Sequence, residues 1–370
     1  MKKIRSIPSA VALLLLACSL HAAKPYDVLD LPAVQSPLAA HALIYSLTRA
    51  GDRFFATGIR GHILYSDDFG QSWTQAESVP VRSSLLDASF PTPDQGWVVG
   101  HEAVILHTED AGKTWVKQAD GRDLPKIGLD YYQKKLAEQP DDERYAFLID
   151  EMKLAVEQGA DRPFFKIFMR DTTTGFAAGA YGYLFRTVDG GKSWYPIMEL
   201  LDLEQMVHLF DFAQLSNAPA IEFDGATVPA DIVASGEMGT ILALDPDSGR
   251  WRMQDFPYEG SMFTISATGG DSLVTGGLRG LAFYSTDRGA SWSAVKKPPT
   301  GAVVSSTVLA DGRVILATQE GNLLASSDHG ASFAPLPMTG AQPLSDVIEG
   351  RPGELILSGV FGVRIYQLPE

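Results

Sequence analysis

Cysteine is almost absent from this 370-residue chain, and the single copy, Cys18, lies close to the amino terminus. A chain cut after it has no thiol at all, so neither disulfides nor thiol chemistry can hold it together or act in it. Long apolar runs are missing too. Ala10 to Ala17 (AVALLLLA) is too short to span a bilayer, and no later stretch reaches the ~18 apolar residues that spanning needs. Runs of basic residues are also lacking, and the net charge is −15. Binding of nucleic acid phosphates depends on clustered Lys and Arg, so a nucleic acid partner is excluded. The acidity suits the solubility of an exported protein. A hydrophobic content of 45% supplies a large globular core.

The amino terminus reads as a leader. Lys2, Lys3 and Arg5 form a basic region, the apolar run follows, and small residues come next, so residues 1–23 are expected to be a signal peptide. Cleavage could fall after Ala22 or after Ser19. Leu15-Leu16-Ala17-Cys18 alternatively resembles a lipobox, with Cys18 as a lipidated amino terminus and Leu16 bulky for its place. Either route puts residues 24–370 outside the cytoplasm, as a periplasmic or secreted protein or a periplasmic or outer-membrane lipoprotein. No transmembrane segment is expected after the leader.

What the chain has in abundance is one repeated octet. Ser66-x-Asp68-x-Gly70-x-Ser72-Trp73 returns as Thr108-x-Asp110-x-Gly112-x-Thr114-Trp115 and as Thr187-x-Asp189-x-Gly191-x-Ser193-Trp194. Ser285-x-Asp287-x-Gly289-x-Ser291-Trp292 follows, and Ser326-x-Asp328-x-Gly330-x-Ser332-Phe333 keeps all but the indole. A worn copy, Asp245-Pro-Asp247-Ser-Gly249-Arg-Trp251, lies between the third and fifth. The aspartates are spaced by 42, 79, 58, 40 and 41 residues. A unit of about 40 residues suits a four-stranded propeller blade, and the two long steps then hold insertions.

Each residue of the octet has a structural task. Ser/Thr and Asp bond local backbone in an Asx-type turn, glycine takes a positive φ, and the tryptophan packs between blades. A calcium loop needs more oxygen ligands than one Asp and one hydroxyl. Acid–base catalysis needs one environment tuned apart from the rest, not six alike. No catalytic residue, metal or cofactor is therefore expected.

Six units end at Trp73, Trp115, Trp194, Trp251, Trp292 and Phe333, and Leu344 to Gln367 holds three further strands. The expected fold is all-β, a seven-bladed β-propeller. The spare amino-terminal segment Tyr26 to Val34 is expected to supply the missing strand of the last blade and so remove an open edge. Residues 120–162 form an insertion between blades two and three. Within it Leu129 to Glu138 has helical character, and Asp141 to Gln158 reads as an amphipathic helix with Tyr145, Leu148, Met152 and Val156 on one face. Residues 214–230 form a loop insertion between the first two strands of blade four.

A second repeat lies between strands two and three. It reads Gly58-Ile59-Arg60-Gly61, Gly100-His101-Glu102-Ala103, Gly179-Ala180-Tyr181-Gly182, Gly236-Glu237-Met238-Gly239 and Gly277-Leu278-Arg279-Gly280. Thr318-Gln319-Glu320-Gly321 and Gly359-Val360-Phe361-Gly362 complete it. The fourth place wants glycine for a left-handed residue, which leaves Ala103 strained. Turns alternate between the two ends of a blade, so these tips lie opposite the octets. Arg60, His101, Glu102, Tyr181, Met238, Arg279, Glu320 and Phe361 then form a candidate partner-binding ring at the channel mouth.

The octets are Asp-box, or BNR, repeats. Joined to the turn, as in ATGIRGHILYSDDFGQSW and AGAYGYLFRTVDGGKSW, they resemble the photosystem II assembly and stability factor family, from about Tyr26 to the carboxyl terminus outside the two insertions. The resemblance implies a seven-bladed, exported, non-enzymatic scaffold that holds partner proteins during assembly of a membrane complex. Relatives occur in bacteria without photosystems, some beside resistance-nodulation-division exporters. The family's basic patch is reduced here to Arg60, Arg279 and Arg364, which points to a bacterial member outside photosynthesis. The partner expected is a membrane-complex or exporter protein, bound by a monomer. Sialidases share Asp-boxes, so the alternative is a glycan-binding or glycoside hydrolase propeller. Arg60, Arg279 and Tyr181 are a partial set for that chemistry, without a third arginine or a glutamate paired to the tyrosine.

Overall fold

The structure is a computed structural model that describes residues 27–203, 205–215, 220–223, 226–229, 232–245, 247–296, 300–340 and 342–369. The leader, with Cys18, and Tyr26 lie outside the described residues. Blade one comprises β1 (Ile44–Ala50), β2 (Arg53–Gly58), β3 (Ile63–Ser66) and β4 (Thr74–Gln75), hydrogen-bonded in that order as antiparallel neighbours. Blades two to six repeat this plan over residues 85–119, 164–196, 209–253, 262–294 and 303–335, and blade seven has three strands over 344–367.

Burial explains the sequence of each strand. The second strand of a blade is covered on both faces by its neighbours, so Gly96–Gly100, Gly175–Gly179 and Val314–Thr318 are buried along their whole length. Their Ala and Gly residues let blades approach closely. Outer strands such as β4 are two residues long, which leaves little free edge for another chain to pair with. The core is a series of clusters between blades. Phe55, Ile63, Leu85, Val98, Leu106 and Trp115 join blades one and two.

The ring closes without the amino-terminal strand the sequence suggested. Among the described residues the last sheet keeps three strands, and residues 27–34 form none. They run instead across blades one and two, where Ala33 donates its backbone N–H to Val79 and Arg82 donates to Val28. Two features of the segment account for this. Pro32 has no N–H to give a ladder, and Leu29 finds a buried place among Val79, Val81 and Trp115. Closure comes from side chains: Ile44, Leu47, Phe54 and Leu64 of blade one pack on Ile356 of blade seven.

The insertion between blades two and three is a helical hairpin, α1 (Leu124–Glu138) and α2 (Glu143–Gln158). The carboxylate of Asp142 caps α2 by accepting from the backbone N–H of Arg144. Tyr145, Leu148 and Met152 are buried as the periodicity suggested, together with Ile149 and Ala155. Val156 instead faces outward. The buried stripe meets Trp97 of blade two and Phe164 and Phe185 of blade three. Tyr132 of α1 locks the hairpin down: its hydroxyl donates to Glu199 at 2.9 Å and accepts from the Met198 N–H at 3.1 Å. In blade four, a short hairpin of Ala220–Phe223 and Ala226–Pro229 lies between the first two strands, where a loop was expected. No helix among the described residues is long and apolar enough to cross a membrane.

Candidate functional site

The recurrent turn has the same geometry in blade one as in four others. Gly58 is extended, at φ −158° and ψ −161°, and a Cβ there would lie 2.4 Å from the Leu43 carbonyl oxygen. Its need for glycine is therefore close approach and not an unusual φ. Arg60 and Gly61 then both take left-handed conformations, at φ 58° and 75°. The sequence pointed to the fourth place only; the third is left-handed as well at Glu102, Tyr181, Met238 and Arg279. Ala103 stands at φ 50°, the strained exception the pattern implied. In blades six and seven only Gly321 and Gly362 are left-handed at these two places.

Arg60, His101, Tyr181, Met238, Arg279, Glu320 and Phe361 are exposed and Glu102 is half-buried. In blades one, three and four the turn is braced by the connection to the next blade: Gly61 donates to Ser83, Gly182 to Val207 and Gly239 to Gly260. The variable side chains thus project from a fixed backbone. Arg60, Tyr181 and Arg279 belong to blades one, three and five, so no two of them are on adjacent blades. Tyr181 has the richest surroundings. Its ring meets His208 edge-on at 4.9 Å, and the buried Arg162 guanidinium lies 5.2 Å from it. His208 in turn pairs with Glu237 at 2.8 Å.

The channel below has a lining that sequence reasoning missed. The innermost strands begin Ile44-Tyr-Ser46, Leu85-Leu-Asp87, Phe164-Phe-Lys166, Leu209-Phe-Asp211, Met262-Phe-Thr264, Val303-Val-Ser305 and Leu344-Ser-Asp346. A register shift follows the first residue in every blade. Such a bulge re-aims side chains, and both residues after the buried one line a channel space of about 150 Å³. None of that lining comes from α1 or α2. The signal was a polar third residue after an apolar first, seven times over.

This polar belt ties blades together. Asp87 accepts from Ser46 and from the Ile167 N–H, Asp211 from the Ile265 N–H, and Asp346 from Ser305 and the Leu47 N–H. Lys166 stands between Asp211 at 3.1 Å and Asp87 at 3.4 Å. Burial alone would lower the lysine pKa, but the two carboxylates reverse this and hold it raised and charged. Burial pushes the Asp346 carboxyl up to about 6, against its hydrogen bonds. Each carboxylate already has a structural duty. Among the described residues no group of three or more His, Cys, Asp or Glu is placed to hold a metal ion.

The octets occupy the other end of the blades. Ser66 donates to Asp68 at 2.8 Å and accepts the Gly70 N–H at 2.8 Å; Asp68 accepts from the Ser72 hydroxyl at 2.6 Å and its N–H at 2.9 Å. The Ser72 bonds above all hold the Asp68 pKa down at about 2. Trp73 closes the turn on the Gly70 carbonyl at 3.1 Å. Asp110, Asp287 and Asp328 repeat the two Asp bonds to the Ser/Thr hydroxyls, and Trp115 and Trp292 repeat the indole bond. Asp189 accepts from Thr187 and the Ser193 N–H, whereas Trp194 turns to Gln118. Phe333 is buried in the same place between blades five and six. In the worn copy Asp245, not Asp247, accepts the local bonds.

The family model described as photosynthesis system II assembly factor YCF48 matches residues 70–129, and the BNR/Asp-box repeat model matches residues 283–294. The photosystem II assembly lipoprotein Ycf48 of Synechocystis sp. is 31% identical over 84 residues, 22% of each chain. The photosystem II assembly protein Ycf48 of a Synechococcus strain is 28% identical over 136 residues, 33% of this chain and 39% of the relative. The matches thus span a fifth to two fifths of these relatives. Among solved structures, "YCF48 bound to D1 peptide" superposes with a TM-score of 0.62 at 17% identity, over 92% of this chain and all (100%) of that one. YCF48 from Cyanidioschyzon merolae gives 0.62 at 15% identity, over 91% and 98%. Likeness at that identity is likeness of fold. The chain is a seven-bladed BNR-repeat β-propeller similar to the photosystem II assembly factors.

Proposed function

We propose that this propeller is an exported, non-enzymatic scaffold that holds a partner protein on its ringed face during assembly or operation of a membrane complex or exporter. The observation that carries the reading is the ring: one left-handed backbone turn recurs in five blades, and its third residue varies among Arg, Glu, Tyr and Met. A rigid scaffold presenting variable tips is a recognition surface. The solved relative titled as bound to D1 peptide supports the class of partner, a protein segment. Arg60 and Arg279 stand on separate, non-adjacent blades here, so the ring offers them as scattered cations and not as one continuous basic patch. Export rests on the leader, and a lipid anchor on Cys18.

The test is affinity purification from the native host with wild type and with Arg60→Ala/Tyr181→Ala/Arg279→Ala. The partner is expected with wild type and depleted with the variant. Equal recovery by both would remove the surface from the account. Release of fluorophore from a panel of fluorogenic glycosides by the wild type would overturn the non-enzymatic reading.

A further inference from the structure

Beside Tyr181 the ringed face opens into a groove that the repeat does not build. Its floor combines Phe147 and Leu154 of α2, 50% and 42% exposed, with Leu203 and Met206 of the connection between blades three and four and with Met238 at the tip of blade four. One hollow between α2 and Tyr181 holds about 420 Å³. It shares Phe147 and Met206 with a second hollow and Gln205 with a third, and those two share Leu203, so the three hollows adjoin along one floor. Phe147 and Leu154 lie on α2 away from its buried stripe and leave about half of their surface to solvent. Methionines suit a floor that must adapt to another surface.

Carboxylates outnumber guanidinium groups around this floor. Glu143, Asp161 and Glu259 line it and are exposed, and Asp202 lines it as well but already stands 3.5 Å from Arg252. Its two arginines are already engaged. Arg144 pairs with Asp142 at 2.6 Å, and Arg162 lies 3.6 Å from Glu151 and about equally near the Tyr181 and Tyr183 rings, at 5.2 and 5.0 Å. The whole chain carries −15, which extends the same field outward. An occupant that covers the apolar floor must meet the acids with cations, because desolvating unpaired carboxylates against an apolar or acidic surface is costly.

We propose that the groove takes a basic segment of the partner protein, with Leu, Phe or Trp side chains on the floor and Lys or Arg against the acidic rim. This rests on the reading of the ringed face as the partner side and names the chemistry of what it holds.

A phage-displayed library of random 16-residue peptides, panned on the purified protein, tests it whatever the identity of the partner. Enriched peptides are expected to pair aromatic or leucine residues with net positive charge. In fluorescence anisotropy their Kd should rise about tenfold or more in Phe147→Ser/Leu154→Ser, as for loss of anchor residues. It should also rise in Asp161→Lys/Glu259→Lys and stay unchanged in Val116→Ser, an exposed apolar residue beside an octet. Unchanged melting temperatures separate these effects from unfolding. No enrichment, enrichment of neutral or acidic peptides, or equal binding by the Phe147/Leu154 variant would overturn the proposal. If the native partner is lost with the Arg60/Tyr181/Arg279 variant but kept by the groove variants, the groove assignment fails and the ringed face stands.

Discussion

Asp346 of the last blade accepts the backbone N–H of Leu47 in the first at 2.7 Å, so one carboxylate bridges the two ends of the sheet array. The same carboxylate accepts from Ser305, which links blade six to the closure. Its pKa is about 6 in the fold, pushed up by burial, against an ordinary value of 3.8. The folded state therefore binds this proton more tightly than the unfolded chain does, and the contribution of Asp346 to stability rises as pH falls from above 6 towards 4. Urea unfolding of wild type and Asp346→Asn at pH 7.5 and pH 5 checks the sign. The wild type should gain stability relative to the variant at pH 5; a relative loss would contradict the assignment.

The octets should matter through their buried hydroxyls. Thr108 is 1% exposed, and its hydroxyl both donates to Asp110 and accepts from the Gly112 N–H. Thr108→Val keeps the shape and leaves that N–H without a partner, at a cost of about 1–3 kcal/mol. Asp247→Ala, in the copy where Asp245 has taken over the bonds, should stay within about 0.5 kcal/mol of wild type. Equal costs in chemical denaturation would show that the bonds do not set the stability of the turn.

The two ends of the ring turn are expected to respond differently to substitution. Gly58→Ala places a methyl 2.4 Å from the Leu43 carbonyl oxygen and must move backbone, so a loss above about 2 kcal/mol is expected. Ala103→Gly relieves a φ of 50°, worth about 1–2 kcal/mol. It also removes a buried methyl and loosens the unfolded chain, each worth about 0.5–1 kcal/mol. The net change should fall near zero. Thermal melts of both variants decide, and a destabilised Ala103→Gly matched by a neutral Gly58→Ala would reverse the account.

Most of the architecture was legible because it repeats. Asp68, Gly70 and Trp73 form local bonds, so their pattern survives in sequence, and six copies count blades. What depended on distant contacts was not legible. Leu29 takes a buried site against blade two, and nothing local to Tyr26 to Val34 marks that choice over a strand. Val156 fits the periodic stripe yet faces out, because the propeller contacts α2 along Ile149 and Ala155 instead. The polar third residue of each inner strand was visible, but only the bulge makes Asp87, Lys166 and Asp346 face one channel. The turn series was read directly from its glycines. The groove beside Tyr181 was not, since it needs α2 and Met206 to meet from segments about fifty residues apart in sequence.

Which face touches the partner is the central claim, and site-specific photocrosslinking measures it most directly. A photoreactive phenylalanine analogue at position 361 or 238, both exposed on the ring, is compared with one at position 71 or 116, beside the octets. Crosslinked partner in the native host is expected from the two ring positions and absent from the two octet positions. Crosslinks that form at the octets and not on the ring would contradict the account.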